Sequence, residues 1–211
     1  MSEGVDLLSI SGHVLLVVYL AGGVLALLRV PMKWRPLLLL GSAWLGIVPF
    51  GRTSLVGLSR SVLGDLSLPM QALLLIGLFR VVGMRHSLFR PWRRDVAMGI
   101  LLVETALILS TLGILPLDLY GLGYAPQTLL IVLLAAMIAM WSLEPAYAMA
   151  LLVGCLAFAV GGMASPNLWD YLIDPLLLVP CLLRIFSLRG SESERRTGAA
   201  ELQPEQLVSP G

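Results

Sequence analysis

Apolar runs separated by short polar stretches organise this sequence, falling at about 7–28, 36–51, 69–84, 95–115, 127–143, 146–164 and 175–188. A helix needs about 20 apolar residues to cross roughly 30 Å of hydrocarbon, and shorter runs serve where their flanks adapt. The pattern therefore predicts an all-α chain, a polytopic membrane helical bundle of about seven spans occupying residues 1–189. The second, third and last runs are short, so six spans is the alternative. Between the second and third runs, Leu55, Leu58, Val62 and Leu66 recur at helical spacing, while Ser54, Arg60, Ser61 and Asp65 fall largely elsewhere around the wheel. Residues 53–66 are accordingly expected to form an amphipathic helix lying in the outer membrane interface. The stretch 190–211, rich in Gly, Ser, Pro and Glu, has no apolar period and reads as a disordered cytoplasmic tail.

Composition agrees with lipid as the main solvent: 58% of residues are hydrophobic, 13% are charged, and mean hydropathy is +0.90. A net charge of +1 gives no case for nucleic acid as a partner. The placement of charge is more informative than its sum. Twelve of the fourteen basic residues, among them Arg29, Lys33, Arg35, Arg80, Arg93, Arg94 and Arg184, collect at alternate ends of the runs, leaving Arg52 and Arg60 on the opposite side. By the positive-inside rule the N-terminus is outside and the C-terminus cytoplasmic. Because Glu3 and Asp6 precede the first run and no small-residue cleavage pattern follows it, we expect an uncleaved span. Thirteen arginines against the single Lys33 is the usage GC-rich coding gives, which points to a bacterial inner membrane.

Candidate chemistry gathers in the outer loops. Arg52 and Arg60 either meet an anionic headgroup or phosphate-bearing substrate, or pair with Asp65, Asp118 or Asp170 to hold the loops together. Tyr120 and Tyr124 suit the membrane interface, with a stacking role toward lipid or carbohydrate as the functional alternative. The segment Ser-Pro-Asn-Leu-Trp-Asp around Trp169 is expected to start a short helix running into the last span. In that case Asp170 and Asp174, four residues apart, would share a face and serve as an acid/base or cation-holding pair. The alternative role of Asp174 is as an N-cap before Pro175.

Glu104 is the sharpest single residue. It lies nine residues after Asp95 in the fourth run, close to the bilayer midplane, where an ionised carboxylate is expensive. It reads either as a proton-exchanging or cation-contacting group, or as a neutral acid bonded across the bundle to Ser, Thr or backbone, with Thr105, Ser110 and Thr111 nearby. His13, in the first run below the outer end, suits a hydrogen bond to one of the outer-loop acids, with a catalytic role as the alternative. Two histidines on opposite sides and two isolated cysteines, Cys155 and Cys181, supply no metal or haem ligand set, and no cofactor is expected. Small residues from Ala148 to Ala164 mark the sixth run as a closely packed helix.

No serine-protease, zinc-protease or nucleotide-loop motif is present. The leading expectation is a non-catalytic accessory protein or subunit that binds a membrane protein partner, a lipid or an envelope polymer at its outer face. A small ion-coupled transporter using Glu104, and a lipid-modifying enzyme using Asp170 or Asp174 with Arg52 and Arg60, are the alternatives.

Overall fold

A computed structural model describes residues 4–84 and 93–186, with side chains described from Leu7 onward. The expectations for Arg85, His86, Arg90 and the 190–211 tail lie outside the described residues. Among the described residues the chain is all-α: α1 (Gly4–Leu27), α2 (Arg35–Ile47), α3 (Leu55–Leu63), α4 (Leu68–Val81), α5 (Arg94–Thr111), α6 (Gln127–Trp141), α7 (Pro145–Ala159), α8 (Trp169–Leu172) and α9 (178–186). Each of the seven apolar runs contains one of these helices, and α3 occupies the segment read as amphipathic.

Local chemistry sets the helix ends. Ser54 and Ser67 cap α3 and α4 by accepting the backbone N–H of Gly57 and Met70, each relieving a donor with no helical partner. α2 stops at Ile47, short of the predicted residue 51, because Pro49 pushes Val48 into extended backbone. α4 ends where Gly83 turns left-handed and Met84 N–H reaches back to the Phe79 carbonyl. α1 closes with the same device but places Arg29 at the left-handed position, φ 55°, with Val30 N–H donating to the Leu25 carbonyl. A side chain is strained there, so Arg29→Gly is expected to raise stability by about 1 kcal/mol, read as a higher midpoint of thermal unfolding in detergent.

α1 packs along α2 and α4, α4 packs on α7, and α7 on α6, while α3 crosses α1 and α2. Glycines permit the close approaches: a Cβ on Gly154 would lie 3.2 Å from the Tyr171 carbonyl, and one on Gly77 would strike the Tyr19 ring. One core cluster joins Leu74 of α4, Ala97 and Ile100 of α5, Leu133 of α6, Leu151 of α7, and Tyr171, Leu177 and Cys181 from the last segments. The rings of Phe158 and Tyr171 meet edge to face there, 5.4 Å apart.

Several polar side chains are buried beside this apolar core, and many large apolar side chains lie at the surface. Ser9, His13, Ser67, Gln71, Glu104, Asn167 and Asp174 are buried, while large apolar side chains such as Leu27, Leu40, Trp44, Ile131, Ile138 and Val160 are exposed. On α3 the apolar stripe Leu55, Leu58 and Val62 faces away from the bundle, and Ser59 turns toward α1. Within the described residues only α1, over Leu7–Leu27, is long and apolar enough to cross a membrane by itself; α4, α6 and α7 are apolar but shorter.

Candidate functional site

Apart from Glu104, the acidic side chains singled out from the sequence, with His13, gather at one end of the bundle in two bonded clusters. In the first, His13 is fully buried on α1, its Nε2 donating to the Gly64 carbonyl at 2.8 Å and its Nδ1 3.0 Å from Ser59 Oγ. Asp65 accepts from Arg60 Nε at 3.2 Å and from the Ser9 hydroxyl, so the turn after α3 is tied to α1. Gln71 lies against Gly12, where a Cβ would not fit, and donates to the Leu66 carbonyl at 2.9 Å. Asp174 accepts from Ser67 N–H at 2.8 Å and Leu176 N–H at 2.9 Å, joining the start of α4 to the segment entering α9. Burial lifts the Asp174 carboxyl above its ordinary value, against the pull of those donors.

The second cluster docks the loop after α5 onto the loop after α7. Tyr120 OH donates to Asp170 at 2.7 Å, and the Ser165 hydroxyl donates to the same carboxylate. Burial, then the Asp170 carboxylate, raises the Tyr120 phenol above its ordinary value, keeping it a donor. Asn167 Nδ2 donates to the Tyr120 carbonyl at 3.1 Å, its Oδ1 accepts from Trp169 N–H, and Trp169 Nε1 donates to the Leu119 carbonyl. Asp118 accepts from Gly121 N–H at 2.7 Å, shaping the turn below. Tyr124 packs edge-on against Tyr120.

Two expectations are corrected here. α8 does not run into α9: Ile173 and Asp174 are extended, and Pro175 disfavours helical backbone at Asp174 before it. Asp170 and Asp174 therefore do not share the face of one continuous helix and are held by different partners. Arg52 is exposed on the turn between α2 and α3, and no bond joins it to Arg60 or to either cluster among the described residues.

Glu104 lies inside the bundle on α5, 2% exposed, on the face that also buries Ala97, Ile100 and Leu107. Asp174, Tyr147 and Cys181 are near enough to act on it electrostatically. Both of its carboxyl oxygens are without a hydrogen-bond partner among the described residues. The expected bonds to neighbouring hydroxyls are absent: Thr111 turns back to the Ile108 carbonyl, and Ser110 bridges Leu117 and Leu119 in the following loop.

The opposite end is basic, with Arg35, Arg80 and Arg184. Arg35 joins two helix ends, donating to the Val30 carbonyl after α1 at 3.0 Å and to Val81 of α4 at 2.9 Å, where a cation opposes the helix dipole favourably. Glu144 accepts Arg93 N–H at 2.7 Å, linking the start of α5 to the α6–α7 turn. Between α1, α4 and α9 runs a cleft of about 750 Å³, walled by apolar side chains and ending at Arg80 and Arg184. The available sequence signal was two arginines placed within apolar runs, ahead of the loops that hold the other basic residues. Comparison with protein-family models, curated proteins and solved structures finds no match to this chain.

Proposed function

We propose that the chain is a polytopic integral protein of a bacterial inner membrane, threading the bilayer about seven times, and acts as a non-catalytic accessory subunit that binds membrane lipid and a protein partner. The exposed apolar surface supports membrane placement: a surface of leucine, valine and tryptophan around buried histidine and carboxyl groups suits lipid, where apolar area has no need to be hidden. An amphipathic α3 whose apolar stripe faces outward suits an interfacial position.

One observation carries the non-catalytic reading. The outer-loop carboxylates Asp65, Asp118, Asp170 and Asp174 are each engaged by hydroxyl, guanidinium or backbone donors that hold the loops, which favours a structural role for them over turnover. Purified in gentle detergent, the chain is expected to run with a stoichiometric membrane protein. A chain that runs alone and converts a lipid in defined liposomes contradicts this reading.

Glu104 favours a second reading, an ion-coupled carrier, since a buried carboxyl with two unsatisfied oxygens is suited to exchange a proton or meet a cation. The readings separate on substitution. If Glu104 is only a packed acid, Glu104→Met removes an unsatisfied polar group and raises stability by about 1–3 kcal/mol in detergent denaturation, with partner binding intact. If it carries a proton, Glu104→Gln leaves the fold intact and abolishes flux in proteoliposomes.

A further inference from the structure

We propose that Glu104 on α5 and Asp174, at the break between α8 and α9, form one buried proton-binding site in which Glu104 carries the proton and Asp174 the charge. This inference rests on the second reading above, in which Glu104 exchanges a proton, and names the partner that governs that proton. Leu168, Tyr171, Leu172 and Leu177 are fully buried, and a Cβ on Gly154, well inside α7, would meet the Tyr171 carbonyl and the Leu172 side chain. The segment from α8 to α9 therefore lies within the bundle, with its extended residues Ile173 and Asp174. Backbone that leaves the helix at membrane depth is tolerated where protein encloses it, and such breaks place polar groups inside a bundle. Leu177 N–H donates to the Asp174 carbonyl at 2.9 Å, and Leu177 belongs to the same core cluster as Ile100, one turn from Glu104 on its buried face.

Hydrogen-bond donors divide the two acids. Asp174 accepts Ser67 N–H on one oxygen and Leu176 N–H on the other, and backbone donors of this kind stabilise a carboxylate. Glu104 is 2% exposed and neither of its oxygens receives a donor, so a charge there would go uncompensated. Two carboxyls within electrostatic reach of each other in an apolar interior do not both ionise, and the proton stays on the one without donors. Tyr147 from α7 and Cys181 from α9 are the other titratable groups that act on Glu104 among the described residues, and in their ordinary neutral forms neither adds a charge. A metal ion would need several oxygens at once, and both Asp174 oxygens already accept backbone donors; a proton needs one.

The full chain in phospholipid vesicles, treated with dicyclohexylcarbodiimide and mapped by peptide mass spectrometry, tests this. The reagent takes the proton of a neutral carboxyl onto its nitrogen and bonds the carboxyl oxygen to its carbon, so it marks protonated acids in apolar surroundings. Wild type at neutral pH is expected to be marked at Glu104 and not at Asp174, and the mark should fade in alkaline buffer. Asp174→Asn removes the neighbouring charge and keeps one acceptor oxygen; Glu104 should then release its proton about tenfold more readily, so that the mark fades at lower pH than in wild type. Asp118→Asn, in the outer turn, should leave the mark as in wild type. Infrared spectra of wild type need no change at the junction of α4 and α9: they should show one protonated carboxyl in an apolar setting, absent from Glu104→Gln. A mark on Asp174 in place of Glu104, a mark on both, a mark on neither, an Asp174→Asn profile equal to wild type, or an infrared band that survives Glu104→Gln overturns the proposal. Marking as expected without proton flux in vesicles contradicts the carrier reading alone; flux lost in Glu104→Gln with marking indifferent to Asp174 contradicts the pair alone.

Discussion

Asp174→Ala is expected to destabilise the bundle by about 2–4 kcal/mol, because it strips the acceptor from two backbone donors, Ser67 N–H and Leu176 N–H, in a buried junction. Ser67 starts α4 and Leu176 precedes α9, so one carboxylate sets where both helices begin. Asp174→Asn retains one acceptor oxygen and should lose about half as much. The two substitutions also differ with pH. The folded-state carboxyl titrates above its unfolded value, so its contribution is fully present below the unfolded value and is lost as pH rises through the raised one. Wild type should therefore gain stability on acidification across that window relative to Asp174→Asn. Denaturant unfolding in detergent followed by circular dichroism reads both effects.

Gly123→Val is the second large expected effect. A Cβ at Gly123 would overlap Asn167 Oδ1 and lie 2.8 Å from Trp169 Cδ1. The Gly123 carbonyl also accepts Leu168 N–H at 3.0 Å, so the loop after α5 and the loop after α7 meet there backbone to backbone. Moving Asn167 aside releases its bond to the Tyr120 carbonyl and loosens the neighbouring pair of Tyr120 with Asp170. A loss of about 3 kcal/mol is expected, from overpacking together with buried polar groups left unpaired. Trp169 fluorescence should shift red as its indole N–H leaves the Leu119 carbonyl. Gly121→Ala provides a graded comparison, since its Cβ would meet Asp118, an acid confined to the turn itself.

How much of this was legible in the sequence depends on which interactions are local. The positions of α1, α2 and α4 to α7 follow from apolar runs bounded by Pro, Gly and Ser, and that of α3 from its amphipathic repeat, because capping and proline geometry act within a few residues. These helices stop short of the C-terminal ends of the runs, since an apolar residue such as Val48 continues the hydropathy pattern while its neighbour Pro49 ends the helix. The capping role of Asp174 was readable from Pro175, and the same proline is what separates it from Asp170. Partners across the bundle were not readable. Nothing in the spacing joins His13 to Ser59 and Gly64, or Tyr120 to Asp170, since these contacts depend on which helices lie side by side. Glu104 was recognisable by depth along its helix, but its lack of partners depends on where the surrounding hydroxyls point. Arg80 and Arg184 were legible as charges and became a pair only when α4 and α9 met across a cleft.

Membrane threading is tested most directly by single-cysteine accessibility in intact cells, in a background with Cys155 and Cys181 replaced by alanine. Arg52→Cys and Tyr124→Cys report one end of the bundle, and Lys33→Cys and Ser142→Cys the other; all four positions are exposed. An impermeant maleimide should label 52 and 124 at once, and 33 and 142 only after the membrane is permeabilised. Labelling of 33 and 52 from the same side, before permeabilisation, would contradict the account.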